Sequence, residues 1–139
     1  MGVSDARRCR CHSRKVENRC CGPFHAGKPA PTPEALMRSR FAAYAKCLVD
    51  YVVETTDPEG PQWEGDLATW RERIAAFCEG TRFVGLDILD APPASGDEGF
   101  VTFRAVLTQG GRDATFAERS RFTRVDGRWR YHSGERLPA

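Results

Sequence analysis

The chain has 139 residues, of which 40% are hydrophobic and 29% charged, a composition typical of globular domains. No segment approaches the roughly 20 consecutive apolar residues of a membrane span, and the polar, basic amino-terminal segment does not resemble a secretory signal. A net charge of +2 is too small, over the whole chain, to indicate a nucleic-acid-binding protein. We therefore expect a cytoplasmic protein.

Charge and cysteine are unevenly distributed along the chain. Residues 1–28 contain seven Lys or Arg and two Asp or Glu, a net charge of +5, whereas residues 29–139 carry a net charge of −3. A run of glycines and prolines between positions 22 and 33 separates the two regions, and such a run continues neither a helix nor a central strand. We therefore predict a small module (1–28) followed by one domain (29–139).

Two amphipathic helices are predicted after the proline-rich junction. Thr32 and Pro33 favour a helix start, and apolar residues at helical spacing extend this helix to about Thr56. A second helix is predicted with Asp66 as N-cap and Gly80 at its end. Its predicted apolar face comprises Leu67, Trp70, Ile74, Phe77 and Cys78.

The hydrophobic period then changes to two, which is typical of strands. Alternating apolar residues run through 84–88 and 101–107, and glycine-containing turns at 110–111 and 126–127 predict strands over 112–125 and 128–132. Two helices followed by antiparallel strands predict an α+β fold. We expect a curved antiparallel sheet with the helices packed on its concave face.

Four cysteines near the amino end have the spacing C-x-C-x8-C-C: Cys9, Cys11, Cys20 and Cys21. Four thiolates at about 2.3 Å from one ion form a tetrahedral zinc site. Metal binding also supplies folding free energy to a segment that has few large apolar side chains to bury. The sequence therefore predicts zinc as the cofactor of a small zinc-binding module.

Other interpretations of these cysteines remain open. Disulfides are disfavoured where thiols are kept reduced, and a redox or persulfide centre is a third alternative because thiolates beside arginines are reactive. His25 is an alternative fourth ligand in place of Cys21, although we expect a solvated loop residue or a hydrogen-bond donor near the site. The isolated Cys47 and Cys78 are predicted to be small buried apolar side chains.

Basic residues surround the cysteine cluster: Arg7, Arg8, Arg10, Arg14, Lys15 and Arg19. A Zn²⁺ ion with four thiolates carries a charge of about −2, which basic neighbours stabilise. The alternative is a polyanionic partner such as nucleic acid or the ribosome, whose binding would weaken steeply as salt rises.

The cysteine spacing resembles the SEC-C metal-binding motif, first described at the carboxyl end of the SecA translocation ATPase. The segments Cys20-Cys21-Gly-Pro-Phe-His25-Ala-Gly and Pro33-Glu-Ala-Leu-Met-Arg-Ser-Arg-Phe-Ala-Ala-Tyr44 resemble the start of the YchJ-like family of bacterial proteins. Glu118-Arg-Ser-Arg-Phe122 and Gly127-Arg-Trp-Arg-Tyr131 are also similar to that family. The resemblance implies a main domain similar to the nuclear-transport-factor-2-like (NTF2-like) cone.

The chain departs from the motif in the first cysteine loop. The motif usually reads Cys-Pro-Cys-Gly-Ser-Gly, whereas this chain has Cys9-Arg-Cys11-His-Ser-Arg14. All four ligand positions remain, but a proline and two turn glycines are absent. The resemblance therefore implies metal binding and leaves the conformation of this loop open.

The family carries no established activity, so the resemblance implies a contact and no reaction. The similar motif of SecA contacts the SecB chaperone and ribosomes. We therefore expect an accessory protein, not an enzyme, whose amino-terminal module docks onto a protein or ribosomal partner. A weak nucleic-acid contact is an alternative, and the oligomeric state stays open, with a dimer through the sheet as one alternative.

A second hypothesis places a small-molecule site or an acid–base enzyme in the cone cavity. Glu118 and Ser120 occupy the apolar face of the predicted strand, and burial would raise the pKa of an unpaired carboxyl toward the range of a general acid or base. A structural ion pair between Glu118 and Arg40 is the favoured alternative. The predicted cavity residues are Arg40, Tyr44, Glu118, Ser120, Trp129 and Tyr131.

Overall fold

The computed structural model describes residues 8–138, so Arg7 of the basic cluster lies outside the described residues. The helices are α1 (Gly22–His25), α2 (Pro33–Ala45), α3 (Val49–Glu54) and α4 (Leu67–Glu79), and a 3-10 turn covers Glu17–Arg19. The strands are β1 (Arg82–Asp90), β2 (Glu98–Gln109), β3 (Arg112–Asp113), β4 (Phe116–Val125) and β5 (Arg128–Leu137). Within residues 8–138, no helix has the length and apolar character needed to cross a membrane.

The strands form one antiparallel sheet with α2 packed on one face. The strand order is β1-β2-β4-β5, and the short β3 pairs with β2. The core between α2 and the sheet contains Leu36, Met37, Phe41, Leu86, Val101, Phe103, Ala105, Leu107, Phe122 and Trp129. A second cluster joins α2, α3 and α4 through Ala43, Val52, Val53, Trp70 and Ile74. The α+β fold predicted from the order of helices and strands is confirmed.

Both predicted helix starts are confirmed by capping hydrogen bonds. The Thr32 hydroxyl accepts from the Ala35 N–H at 3.1 Å, and the Asp66 carboxylate accepts from the Thr69 N–H at 3.1 Å. The second helix ends at Gly80, as predicted. These polar caps satisfy backbone donors that have no partner inside the helix.

The single helix predicted over 33–56 is wrong, because the chain turns between α2 and α3. The Leu48 N–H donates to the Ala43 carbonyl at 2.8 Å and the Cys47 N–H to the Tyr44 carbonyl at 3.1 Å, which is a Schellman motif. Cys47 occupies its left-handed position with φ of 56°, where glycine is usual. Residues 45–48 include no glycine or proline, so no residue typical of a turn marks the end of α2 in the sequence.

Cys47 and Cys78 are not two isolated apolar side chains, which corrects the prediction. Cys78 is buried, but Cys47 is exposed, and their sulfur atoms are bonded. Their Cα atoms lie 5.6 Å apart, inside the usual range for a disulfide. The bond joins the end of α2 to the last turn of α4.

Three strand predictions need correction. The register of β1 shifts between Phe83 and Gly85, so Val84 is 53% exposed and Phe83 packs against the core instead. A one-residue shift reverses the face that a side chain occupies. The strand predicted over 112–125 is divided into β3 and β4, and the last strand continues beyond residue 132 to Leu137.

The segment after α3 adds to the edge of the sheet at β5. The Tyr131 N–H donates to the Thr55 carbonyl at 2.7 Å, and the Asp57 N–H donates to the Tyr131 carbonyl at 2.8 Å. The Asp57 carboxylate accepts from the Thr123 hydroxyl at 2.6 Å and from the Glu59 N–H at 2.9 Å. Burial opposes ionisation, but these hydrogen bonds outweigh it and lower the pKa of Asp57 below its ordinary value.

Candidate metal centre

The four amino-terminal cysteines converge on one point. The Sγ atoms of Cys9, Cys11, Cys20 and Cys21 all lie within 4.8 Å of one another. The Cys11–Cys20 and Cys20–Cys21 sulfur distances are 3.5 and 3.9 Å. In a tetrahedral site with metal–sulfur bonds of about 2.3 Å, the sulfurs are separated by about 3.8 Å. The donor set and its spacing therefore fit a single zinc-sized ion.

A tight turn brings the first cysteine pair into position. The Cys9 N–H donates to the Lys15 carbonyl at 2.8 Å, and the His12 N–H donates to the Cys9 carbonyl at 3.2 Å. His12 and Arg14 both have left-handed backbone conformations, with φ of 62° and 72°. L residues rarely adopt this conformation, so the turn forms at an energetic cost at two positions.

The second cysteine pair follows the 3-10 turn and leads into α1. The Cys20 N–H donates to the Glu17 carbonyl at 3.0 Å, and the His25 N–H donates to the Cys21 carbonyl at 3.0 Å. A Cβ at Gly22 would lie 2.9 Å from the Glu17 carbonyl oxygen, so glycine permits the close approach of these two segments. The Ser13 hydroxyl lies 3.1 Å from the Cys20 sulfur and links the two pairs.

The crowding of the sulfurs shifts their protonation. Hydrogen bonds from Cys21 and Cys9 lower the pKa of Cys11, because they stabilise its thiolate. The same interaction with Cys11 raises the pKa of Cys9 to about 11 and also raises the pKa of Cys21. Additional thiolates repel one another at these distances unless a cation lies between them.

The inner side of the cysteine cluster rests on α2. Cys9, Cys11 and Cys21 are buried together with Ala42, which has no exposed surface. The Lys46 ammonium, just beyond the end of the same helix, pairs with the Glu17 carboxylate. We call residues 8–28, as the structure describes them, the cysteine module.

The two histidines of the cysteine module face away from the sulfurs. The His25 Nε2–H donates to the Ser39 carbonyl at 2.8 Å, and Nδ1 accepts from Lys46 Nζ at 3.1 Å. Burial lowers the pKa of His25, which favours this neutral form. The His12 Nε2 lies 3.0 Å from the Phe83 carbonyl of β1. His25 therefore fixes the module on α2, and its geometry does not support a role as fourth ligand.

Glu118, the predicted acid–base residue, is held by a hydrogen-bond network. Its carboxylate accepts from the Ser120 hydroxyl at 2.5 Å and from the Tyr131 hydroxyl at 3.1 Å, and the Arg136 guanidinium lies 3.6 Å away. The Glu118 side chain is 12% exposed. Burial and the Glu118 carboxylate both raise the pKa of Tyr131. This tyrosine is therefore a neutral donor to the carboxylate.

Arg40 does not form the predicted ion pair with Glu118, although the structure describes both residues. Its Nη1 donates to the Val52 carbonyl at 2.9 Å and to the Thr55 hydroxyl at 2.7 Å. The guanidinium also stacks on the Tyr131 ring, with 4.8 Å between its carbon and the ring centroid. Arg40 thus joins α2 to the end of α3, and it reaches Glu118 only through the tyrosine.

The comparisons with known proteins decide the family. The family described as YchJ, middle NTF2-like domain, matches residues 32–134. The chain belongs to this YchJ-like family. A SEC-C motif containing protein from Rhodopseudomonas palustris, known from a solution structure, is 38% identical, with 94% of this chain and 98% of that chain covered and a TM-score of 0.79. The resemblance inferred from the sequence is confirmed.

Two further solved structures support the fold of the YchJ-like chain. A SEC-C motif containing protein from Psychrobacter arcticus is 22% identical, with 100% of this chain and 78% of that chain covered and a TM-score of 0.73. An NTF-2 like protein of unknown function from Shewanella oneidensis MR-1 is 16% identical, with 73% and 92% covered and a TM-score of 0.53. At these identities the likeness concerns the fold, which is NTF2-like as expected.

The turn of the first cysteine pair has residues other than glycine at its two left-handed positions. The two glycines that the motif usually has fall at His12 and Arg14, and these are the two left-handed positions of the turn. Both positions therefore have a backbone conformation that glycine adopts without steric penalty. Both residues are exposed, and His12 Nε2 lies 3.0 Å from the Phe83 carbonyl of β1.

Two surface clefts of the described chain are lined by residues other than Glu118. One cleft of about 390 Å³ is lined by the start of α2, the loop between β1 and β2, Phe100 and Trp129. A second, of about 110 Å³, lies between α1, Leu36, Tyr51 and Trp129. Of the six predicted cavity residues, all of them described, Trp129 alone lines either cleft. Tyr44 packs edge-on against Phe77, with 5.6 Å between the ring centroids.

Proposed function

We propose that this chain is a zinc-binding accessory protein of the cytoplasm. Residues 1–28 form a metal-binding module on an NTF2-like domain of residues 29–139, and the outer face of the module docks onto a protein or ribosomal partner. The observation that carries the proposal is the convergence of four cysteine sulfurs within 4.8 Å. The proposed role of zinc is structural, because a centre with four protein ligands leaves no position for substrate.

The chemistry of the donors supports zinc over other divalent ions. Thiolates are soft ligands, which select Zn²⁺ or iron–sulfur chemistry and disfavour Mg²⁺ and Ca²⁺. The spacing of the sulfurs is that of one ion and not of a multinuclear cluster. The four clustered cysteines form no disulfide, as is expected where thiols are generally kept reduced, and this supports a cytoplasmic location.

The charge of the cysteine module supports a docking role for its outer face. Its basic side chains are exposed, namely Arg8, Arg10, Arg14, Lys15, Arg19 and Lys28, and Glu17 is its only acidic residue. A zinc–tetrathiolate centre compensates only about two of the resulting five positive charges. The remaining positive charge suits an acidic protein surface or the phosphates of ribosomal RNA.

The metal content of the purified full-length chain tests the first half of the proposal. We expect about one zinc ion per chain by inductively coupled plasma mass spectrometry. Cys11→Ser should lower that content strongly, whereas Cys78→Ser, a matched change outside the cluster, should leave it unchanged. A zinc content far below one equivalent in a metal-replete preparation, with no effect of Cys11→Ser, would overturn the zinc proposal.

Binding to purified ribosomes across a salt series tests the second half. A triple variant with Arg10, Lys15 and Arg19 changed to Glu should bind at least tenfold more weakly than the unmodified chain while retaining zinc. The control changes three exposed arginines of the NTF2-like domain, Arg104, Arg112 and Arg128, to Glu. If the unmodified chain does not bind, the same variants are compared in cross-linking to cellular proteins. Equal capture by both triple variants would refute docking through the module.

The geometry does not favour the second hypothesis, an acid–base enzyme using Glu118. The carboxylate is already engaged by Ser120, Tyr131 and Arg136. Such a network fixes β4 to β5, which is a structural role.

A further inference from the structure

Cys47 and Cys78 form a second sulfur site, separate from the metal centre. The two residues are 31 positions apart in sequence, and their bonded sulfurs join the end of α2 to the last turn of α4. Cys78 is buried, with 5% exposure, whereas Cys47 is exposed. Of the two residues, Cys47 is therefore the one at which we expect a thiol from solution to attack.

The backbone at position 47 has a conformation that favours glycine, although the residue there is a cysteine. Cys47 has φ of 56° at the left-handed position of the Schellman motif, which glycine adopts without steric penalty. Cysteine, like other L residues with a Cβ, disfavours this backbone conformation. What its side chain provides, and glycine would not, is the bond to Cys78.

The helices also pack together without the bond, so both redox states fit the fold. Tyr44 of α2 contacts Phe77 of α4 with their ring centroids 5.6 Å apart, and Ala43 shares a buried cluster with Ile74. The Cys78 sulfur lies 3.3 Å from the Ala75 carbonyl, which accepts a hydrogen bond from the thiol once the bond is reduced. Reduction therefore leaves no buried polar group without a partner.

The residue next to Cys47 holds the cysteine module. The Lys46 ammonium pairs with the Glu17 carboxylate and donates to His25 Nδ1 at 3.1 Å. Lys46 is the C-cap of α2, so its direction depends on the turn that Cys47 completes. When the sulfurs are bonded, this turn is fixed to α4; when they are free, only its own hydrogen bonds hold it.

We propose that Cys47–Cys78 is a reversible thiol–disulfide site whose oxidised state holds the cysteine module more firmly on α2. A low-molecular-weight thiolate attacks the Cys47 sulfur, the sulfur–sulfur bond breaks, and Cys78 leaves as a thiolate that takes up a proton. A second low-molecular-weight thiolate then attacks the small-molecule sulfur of this mixed disulfide, so that Cys47 leaves as a thiolate and takes up a proton while the small molecule is released as its disulfide. Two electrons pass to the protein, and an oxidised low-molecular-weight disulfide reverses both steps. Transient disulfides of this kind are the ones expected where thiols are generally reduced.

The test uses the zinc-loaded full-length chain in two buffers, one with oxidised glutathione and one with a phosphine reductant. Peptide mapping after alkylation reports which cysteines are bonded, and hydrogen exchange reports the protection of residues 8–25. We expect a linked Cys47–Cys78 peptide only in the oxidised buffer, and amide exchange in 8–25 that is several-fold slower there. Exchange in β4 should be the same in both buffers.

Two variants separate the redox effect from a general loss of structure. The double variant Cys47→Ser with Cys78→Ser should exchange like the reduced chain in both buffers. Lys46→Met should retain the Cys47–Cys78 disulfide, but amide exchange in residues 8–25 should then be the same in both buffers. Absence of the linked peptide, or equal protection of 8–25 in both buffers, would overturn the inference. The proposed function fails separately, since zinc content and partner binding test it and breaking the Cys47–Cys78 bond with Cys78→Ser is expected to leave the zinc content unchanged.

Discussion

Gly134 on β5, which pairs with Ser120 of β4, lies so close to the Glu118 side chain that a Cβ at position 134 would be 2.1 Å from the Glu118 carboxylate oxygen. A Cβ at this position is therefore excluded unless the carboxylate moves. It would also lie 2.6 Å from the Tyr131 hydroxyl. Glycine thus leaves the space in which Tyr131 and Ser120 donate to the carboxylate. The network that replaces the predicted Arg40–Glu118 ion pair depends on a residue without a side chain.

Gly134→Ala should therefore destabilise the protein by about 1–3 kcal/mol, because the added methyl group must displace the carboxylate from its donors. Chemical denaturation at neutral pH measures the change in the free energy of unfolding. Gly65→Ala is the matched control, since a Cβ at Gly65 meets no atom within 4 Å, and it should change stability by less than about 0.5 kcal/mol. Equal effects of the two variants would contradict the structural role of the network.

Replacing Arg14 by glycine should strengthen metal binding. Arg14 has φ of 72° in the turn between Cys11 and Cys20. Its side chain is exposed, so its replacement by glycine removes no buried packing. Arg14→Gly should favour the folded, metal-bound turn by about 0.5–1 kcal/mol, which corresponds to a two- to fivefold higher zinc affinity in competition with a chelator. Arg10→Gly, at an exposed neighbour outside the left-handed positions, should lower the affinity. A lower affinity of Arg14→Gly would contradict this account of the motif glycines.

Features with a local chemical signal could be predicted from the sequence. The caps at Thr32 and Asp66, the buried alternation of 101–107 and the glycine turns each follow from the residues that form them, and the structure has them where they were expected. The convergence of the four amino-terminal cysteines belongs to the same group. These cysteines are close in sequence, so their convergence at 4.8 Å or less requires only two short turns.

Features that depend on distant contacts could not be predicted in this way. The break at Cys47 lies in a continuous apolar pattern, and the residue that marks it is bonded to Cys78 in another helix. Val84 follows the strand pattern, but a bulge against β2 turns it outward. The place of Arg40 at the edge of the apolar stripe of the first helix suggests Glu118 as its partner. In the structure, the carbonyl of Val52 and the hydroxyl of Thr55 at the end of α3 bind Arg40 instead.

Ala42 is expected to control the contact between the cysteine module and the NTF2-like domain. It lies on α2 and is fully buried against the cysteines, so Ala42→Leu would insert three additional carbon atoms into a closely packed contact. We expect a loss of about 1–3 kcal/mol and faster amide exchange in residues 8–25, with zinc content unchanged because all four ligands lie within the module. Ala45→Leu, on the half-buried side of the same helix, is the control. Unchanged amide exchange in Ala42→Leu would contradict a stabilising contact between the cysteine module and α2.

Asp57 should make the protein sensitive to acid. Its pKa is lower in the folded state than in the unfolded chain, because the Thr123 hydroxyl and the Glu59 N–H stabilise the carboxylate. The resulting stabilisation is complete above the unfolded pKa of about 3.9 and is lost as the pH falls through the lower folded value. Asp57→Asn should cost about 1–3 kcal/mol at pH 7 and less at acidic pH, in urea unfolding series. A cost independent of pH would contradict this assignment; Asp50→Asn, which removes an exposed carboxylate, is the control.

Cys47→Gly should change stability in opposite directions under reducing and oxidising conditions. Glycine relieves the left-handed backbone at position 47, so the reduced variant should match or exceed the reduced parent chain by up to about 1 kcal/mol. Under oxidising conditions the parent chain gains the bond to Cys78, which closes a loop of 31 residues and typically contributes about 2–4 kcal/mol. Urea unfolding of both proteins in both buffers measures these differences. A variant that is less stable than the parent chain by the same amount in both buffers would show that Cys47 acts through packing and not through its bond.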